Sequence, residues 1–578
     1  MNLRLSALAS AVALLALTSL PAAANPIQSI TKLWSTPSTG IAGVADIPGF
    51  PGGNAATRLP DYSAEIAAWD PLSRNIFVAG GLGIEVLSLS GSVLHSFNTT
   101  AYGEINSLAI SNGVAAVSFA NSANKGLSGS VQFFNSAVLA SGAGAASLLG
   151  GVAVGSVPDM VTWTANGTKL LVANEGERQA GGIIDAAGSI SIINFNSAAP
   201  SSSVVTTLGF TAWDGQEAAL RASGVRIGFL PVPAGSPSGT LPVSLSTSIA
   251  LEPEYIAVAP NGLQAMVTLQ EANAVAIIDL TSNMITSIKS LGMKNFSLPG
   301  NHIDPSDQDS PSNGQLINPR SLPLKGLYMP DAIGSFSAGG NTYYVLANEG
   351  DAAVDDSDIR RFGSNNVGLA APLPSKASLI GNDRIDTRLQ VLRNGSVGTG
   401  IESAMTEIVT MGGRSFSIRD SAGTLVWDSG NDLETRAIAA GLYADGRSDD
   451  KGVEPEGVTI FSAAGRTVAA IGLERTTRSA VALYDITNPT APTFAGWAET
   501  GAGSADVRAE GVLSFEDNGI LYLLVSNEGV AGDLAPGDFE VLGTSVLYQI
   551  TPVPEPGTWA LMAGGLLGLG ALARRRRG

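Results

Sequence analysis

Six acidic residues recur in one setting along this chain, each opening a short β-favouring run: Glu65, Asp159, Glu254, Asp331, Glu456 and Glu510. Carboxylates at equivalent points of a repeat converge if the repeats surround an axis. Like charges that close do not all stay ionised in a dry site without compensation. A hard cation such as calcium, with six to eight oxygen ligands, resolves that conflict. The plainer role for these acids is to cap the strand through backbone amides or to pair with nearby arginines. A second set closes the following run: Glu175, Glu349 and Glu528, each the centre of an Asn-Glu-Gly tripeptide. Asn174, Asn348, Asn527 and the glycines suit a turn at a strand end. A turn does not require the glutamate, so it is a candidate for pairing with Arg178, Arg475 or Arg508, for metal ligation, or for acid–base work on a polar substrate. A third set lies in polar loops: Asp304, Asp307 and Asp309, and the run Asp351, Asp355, Asp356 and Asp358. Such spacing resembles surface calcium loops but lacks the glycine and closing glutamate of an EF-hand, so solvated acidic loops compete with it. The candidate metal ligands are therefore Glu349, Asp351, Glu456, Asp304, Asp307 and Asp309.

Several chemistries are excluded by composition. The 578 residues include no cysteine and two histidines, His95 and His302, in unrelated repeats. Disulfides, Cys-ligated zinc, Fe–S clusters and thiol nucleophiles fall away, and multi-His metal centres have too few ligands. No Gly-x-Ser-x-Gly with a partner histidine and no phosphate-cradling loop is present, which leaves no support for a nucleotide, and nothing points to haem. The net charge of −18 includes four C-terminal arginines, so the body is more acidic still. Such a surface repels nucleic acid and anionic membranes.

The elements that must position these acids are strands. Leu170–Ala173 and Tyr343–Ala347 are short apolar runs ending at turn residues, and φ-x-φ-φ-Asp-φ runs follow, as in Ala274–Leu280 and Ser479–Ile486. The unit starts seven times, near Glu65, Asn106, Asp159, Glu254, Asp331, Glu456 and Glu510. Repeats of this kind predict an all-β propeller of seven blades over residues 27–551, with eight blades or a distorted seven as alternatives. Tyr548-Gln549-Ile550 is expected to pair with an N-terminal strand and close the ring. Two intervals exceed a blade, 294–325 and 351–453. The second is expected to be an insertion between blades 5 and 6 lying over one face of the ring, with Ser415–Ile418 and Thr424–Trp427 as its own strands.

Both ends carry addresses. Arg4, an apolar stretch from Leu5 to Leu20 and Ala22-Ala23-Ala24 form a secretory signal over residues 1–24, cleaved after Ala24. At the other end, Val553-Pro554-Glu555-Pro556-Gly557 precedes an apolar stretch from Trp559 to Ala573 and the cluster Arg574, Arg575, Arg576 and Arg577. The apolar stretch is short for a span, and the arginines place that end in the cytoplasm.

This order of Pro-Glu-Pro, apolar helix and arginines over 552–578 resembles a PEP-CTERM sorting signal. The resemblance implies export in a Gram-negative bacterium, processing by an exosortase, at least transient anchoring by a C-terminal transmembrane helix, and a place at the cell surface or in exopolysaccharide. The body also resembles choice-of-anchor I proteins through Ala347-Asn348-Glu349-Gly350-Asp351, Leu425-Val426-Trp427-Asp428-Ser429-Gly430 and the segment Ser448 to Gly457. That resemblance implies a secreted propeller and no established reaction. The expected function is a surface or matrix binding module. The alternative is a calcium-dependent hydrolase of phosphoesterase or phytase type, for which Glu175, Glu349, Glu456 and Glu510 must line one pocket; a lactonase-like reading rests on propeller analogy alone.

Overall fold

The computed structural model describes residues 25–37, 64–178 except 82, 185–229, 243–351 except 311 and 313, 359–362, 388–392, 407–530 except 505, and 543–554. The signal segment, the apolar stretch 559–573, Glu555, Pro556, the four arginines, and Asp355, Asp356 and Asp358 lie outside these. Among the described residues no helix is long and apolar enough to cross a membrane.

The second and third strands of each repeat, such as Lys169–Asn174 and Ser189–Asn194, are buried on both faces, which is why they read as near-continuous apolar runs. The described residues hold seven four-stranded antiparallel sheets. Their first strands are Ile66–Asp70, Ile105–Ser111, Pro158–Trp163, Pro253–Val258, Ile333–Ala338, Pro455–Ala463 and Asp506–Asp517, and we number the blades 1 to 7 in that order. Each first strand packs against the next, and that of blade 7 against that of blade 1, so the sheets close a β-propeller around an axis lined by first strands. A separate apolar cluster fills every blade-to-blade interface. Leu171, Ile190 and Ile192 of blade 3 meet Ile256, Val267 and Ile278 of blade 4, for example. Each such side chain contributes roughly 1.5–3 kcal/mol by leaving water. Blade 7 is completed by the N-terminus: Ile27–Pro37 pairs antiparallel with Thr544–Pro552, with Lys32 opposite Tyr548. The sequence expectation of closure at Tyr548–Ile550 holds.

The placement of the long insertion needs correction. Ser415–Asp420 pairs residue for residue with the second strand of blade 5, Asn348 opposite Ser415, and Leu425–Asp428 follows as the fourth strand. The excursion therefore leaves blade 5 after Asn348 and returns at Ser415, inside the blade. Residues 415–428 belong to the ring itself. The remainder, 429–454, links blades 5 and 6 through a helix at Asp432–Ala440. The two insertions also fold on each other. Met293–Asn295, Lys325–Leu327 and Val409–Thr410 form one small sheet over a private core of Phe296, Ile303, Leu322, Phe362, Leu389 and Val391.

Candidate functional site: an acidic axial mouth

A shared backbone device aims the axial acids. In blades 2, 3, 4, 6 and 7 the pairing of first and second strands slips at the start of the first strand. The unpaired stretch contains Asn106, Asp159, Glu254, Glu456 and Glu510 respectively. A bulge leaves a residue outside the ladder and re-aims its side chain, here towards the axis. Two residues upstream, Val157, Met329, Glu454 and Arg508 take positive φ values of 45°, 45°, 49° and 61°. A β-branched valine there is strained, at a cost of ~1–3 kcal/mol. The same departure from strand geometry thus recurs where the acids are presented.

The result is one cavity of about 310 Å3, lined by Glu65, Asp159, Glu254, Asp331, Glu456 and Glu510, with Asn106 at the blade 2 position. All six sequence-predicted axial acids meet there. Among the described residues no hydrogen bond or ion pair engages the side chains of Asp159, Glu254, Asp331, Glu456 or Glu510, and one carboxylate oxygen of Glu456 is buried without a partner. The strand-capping role does not describe these five. Burial, followed by neighbouring carboxylates, holds Glu254, Asp331, Glu456 and Glu510 well above the usual range, and pushes Asp159 up to about 7.

A second tier stands at the ends of the second strands. By strand register, Glu175, Gln270, Glu349, Glu474 and Glu528 occupy equivalent places in blades 3 to 7. They join the axial acids in three groups: Asp159 with Glu175 and Glu254; Glu349 with Glu456 and Glu474; and Glu474 with Glu510 and Glu528. Within each, one oxygen per residue lies within 4.8 Å of the others. Burial leads in raising Glu175 well above the usual carboxylate range, Glu349 to about 7 and Glu474 to about 8.

The tripeptide around this tier divides its labour. Asn174, Asn348 and Asn527 sit within strands rather than in left-handed turns, and their buried amides bridge to the third strand: Asn174 to Ser189 and Ser191, Asn348 to Ser415, and Asn527 to Thr544. The turn expected of the asparagines is found only in glycines, with Gly176 and Gly350 at φ of 73° and 95°. A Cβ on Gly350 would come within 2.3 Å of the Gly412 amide nitrogen.

Counter-charges gather on one side. Lys451 contacts Glu349 and lies 3.0 Å from Glu454, while Gln270 donates to the other Glu349 oxygen at 2.8 Å. Arg447 reaches Glu454 at 2.7 Å, and Arg475 reaches Glu474 at 2.7 Å. Burial alone would raise Glu454, yet Lys451, Arg447 and Arg475 hold it below its ordinary value. Of the pairings expected for the tripeptide glutamates, Arg508 lies 3.6 Å from Glu528, whereas Arg475 goes to Glu474.

Sequence reasoning did not single out Lys451, Glu454, Glu474 or Tyr255. Glu474 was marked by the repeat register alone. Tyr255 lines the cavity, its phenol raised by burial and by Asp331, Asp159, Glu510 and Glu456. The aspartates of the first insertion take no part in the mouth. Arg388 grips Asp307 with two bonds of 2.6 and 2.9 Å, Arg320 lies 3.4 Å from Asp309, and Asp304 accepts from the Asn318 amide at 3.0 Å. Asp307 thereby ties the two insertions together, while Asp304 and Asp309 are held within the first. Asp351 stands at the mouth's edge, 3.9 Å from Lys451.

The model of the choice-of-anchor I domain matches residues 65–489. The chain belongs to the choice-of-anchor I family. In this choice-of-anchor I protein the PEP-CTERM protein-sorting motif matches residues 552–577, which marks it as exported and surface-sorted and implies exosortase processing and membrane association. No curated protein matches the chain. Solved structures with a similar course include hydrazine synthase of Kuenenia stuttgartiensis (TM-score 0.41, 10% identity, covering 83% of this chain and 96% of that one). The β-propeller domain of Cps50 (Swd1) from Myceliophteria thermophila (TM-score 0.38, 7% identity, 86% and 99%) and the WD40 domain of coronin from Toxoplasma gondii (TM-score 0.37, 7% identity, 92% and 90%) are others.

Proposed function

We propose that this exported propeller is a surface binding module that engages its ligand through the axial mouth, with calcium as the ion its carboxylates hold. The observation that carries this reading is the convergence of Asp159, Glu254, Asp331, Glu456 and Glu510 on one cavity without a partnering cation among the described residues. Oxygen-only donors suit a hard cation, and oxygens up to 4.8 Å apart fit calcium–oxygen distances of roughly 2.3–2.6 Å. Calcium chemistry would bring charge neutralisation and open coordination positions for oxygen groups of a surface ligand such as exopolysaccharide. The hydrolase alternative is less well supported. Glu456 and Glu510 line the cavity, but Glu349 is held by Lys451 and Gln270, and Glu175 groups with a different set of acids.

The test is thermal unfolding of the metal-stripped full chain titrated with calcium, followed by retention on the producing cell's exopolysaccharide. A saturable rise in melting temperature is expected, worth about 2.7 kcal/mol at a hundredfold excess over Kd, together with calcium-dependent retention. A melting temperature indifferent to calcium would sink the reading.

A further inference from the structure

The mouth is not symmetric, and its asymmetry bears on where an ion would sit. On the wall of blades 3 and 4, Asp159 and Glu254 are both axial and both line the cavity, and Glu175 joins them from the upper tier. Glu254 is only 8% exposed, faces the cavity and has no partner among the described residues. A buried carboxylate left in that state is costly unless something not supplied by its neighbours neutralises it. The basic groups in reach are shared with other acids: Lys125 acts on Glu175 from a distance but is paired with Glu104 at 2.7 Å, and Arg178 acts on Glu252 and Asp185. On the adjoining wall of blades 5 and 6, the group Glu349, Glu456 and Glu474 already has Lys451 on Glu349 and Arg475 on Glu474. An ammonium group held there occupies the electrostatic role an ion would take.

We infer that one hard divalent cation binds off the axis, to Asp159, Glu175 and Glu254, and that Lys451 serves as the built-in counter-charge of the adjoining wall. This rests on the reading of the mouth as an ion-dependent binding site and fixes which carboxylates hold the ion. The three oxygens leave half or more of a six- to eight-fold shell for water and ligand oxygens on the cavity side. The ligand would then approach from the channel, where Asn106 and Tyr255 offer neutral polar groups beside the ion.

Calcium titration calorimetry on the metal-stripped full chain tests this, with melting curves as a check of folding. One ion per chain is expected, with affinity at least about tenfold weaker in Asp159→Asn and Glu254→Gln and little changed in Glu349→Gln. Calcium binding that survives Asp159→Asn and Glu254→Gln but vanishes in Glu349→Gln would overturn the assignment while leaving the binding function intact. No calcium binding by folded wild type would remove both. Should Asp159→Asn or Glu254→Gln fail to fold, Lys451→Met supplies an independent reading. Freed of its ammonium, the adjoining wall is expected to take a second ion, and a stoichiometry that stays at one would overturn the role given to Lys451.

Discussion

The walls made by blades 3–4 and by blades 5–6 begin from one template and end in opposite electrostatic states. Both present an axial acid from a bulge, and both place an asparagine of the same register in the second strand or a close relative of that pattern. On the first wall Asp159, Glu175 and Glu254 face one another, with no basic side chain bonded to them among the described residues. On the second, the link between blades 5 and 6 brings Arg447, Lys451 and Glu454, with Lys451 on Glu349, while Arg475 beyond the blade 6 second strand pairs with Glu474. The difference lies largely in what the link between blades 5 and 6 brings to the ring. A repeat can thus generate equivalent carboxylates, and a single inter-blade link can decide which of them are neutralised from within.

The strongest way to break this contrast is to remove the hub of the neutralised wall. Glu454→Gln leaves Arg447, Lys451 and Arg475 without their shared buried carboxylate. A loss of ~3–5 kcal/mol is expected by urea denaturation. A loss below that of an ordinary surface change would show that the three cations are satisfied elsewhere.

The buried carboxylates of both walls give a pH signature. Asp159 is raised to about 7, and Glu252 and Glu474 to about 8. Between roughly pH 4 and 8 the folded state therefore keeps protons that the unfolded chain has released. Since the unfolded state binds fewer protons, stability falls as pH rises, by roughly 1.4 kcal/mol per pH unit for each proton held. Glu454, held low, contributes the reverse: stability present above its unfolded pKa and lost as pH falls through its folded one. Metal-stripped protein should melt lower at pH 8 than at pH 5.5, with a flatter profile in Asp159→Asn. Melting temperatures across that window decide the matter; a rising profile contradicts it.

The shared scaffold should answer alike on both sides. Asn174→Leu and Asn348→Leu each break a buried bridge to the third strand, and each should cost ~1–3 kcal/mol in chemical denaturation. A strongly unequal pair would mean that the walls differ in backbone support as well as charge. The smallest effect belongs to the rim. Lys125 and Glu104 are both well exposed, so Lys125→Ala should change stability by ~0–1 kcal/mol. A larger loss, read from the same melts, would show that Lys125 screens Glu175 and Glu177 more than its pairing with Glu104 indicates.

Much of this was legible in the sequence, because a ring of repeats converts linear register into spatial equivalence. Asp159, Glu254, Asp331, Glu456 and Glu510 recur at the start of a strand, and closure alone brings them together. The strand pair Ser415–Asp420 and Leu425–Asp428 was assigned to an insertion, because the excursion before it hides its partner, Asn341–Asn348. Glu474 needed only register, whereas Lys451 and Glu454 needed three dimensions. Nothing in their local pattern says that a lysine in a polar link reaches a glutamate 102 positions earlier. Asp307 likewise gives no local sign of its partner, since Arg388 lies 81 positions further on.

The closing strand pair has a mechanical side. Thr544–Pro552 runs between Ile520–Val530 and Ile27–Pro37, and the Val553 amide still bonds to Pro26 just before the sorting tail begins. A pull on that tail therefore bears first on the seam that closes the ring, where one strand is held by a ladder on each side.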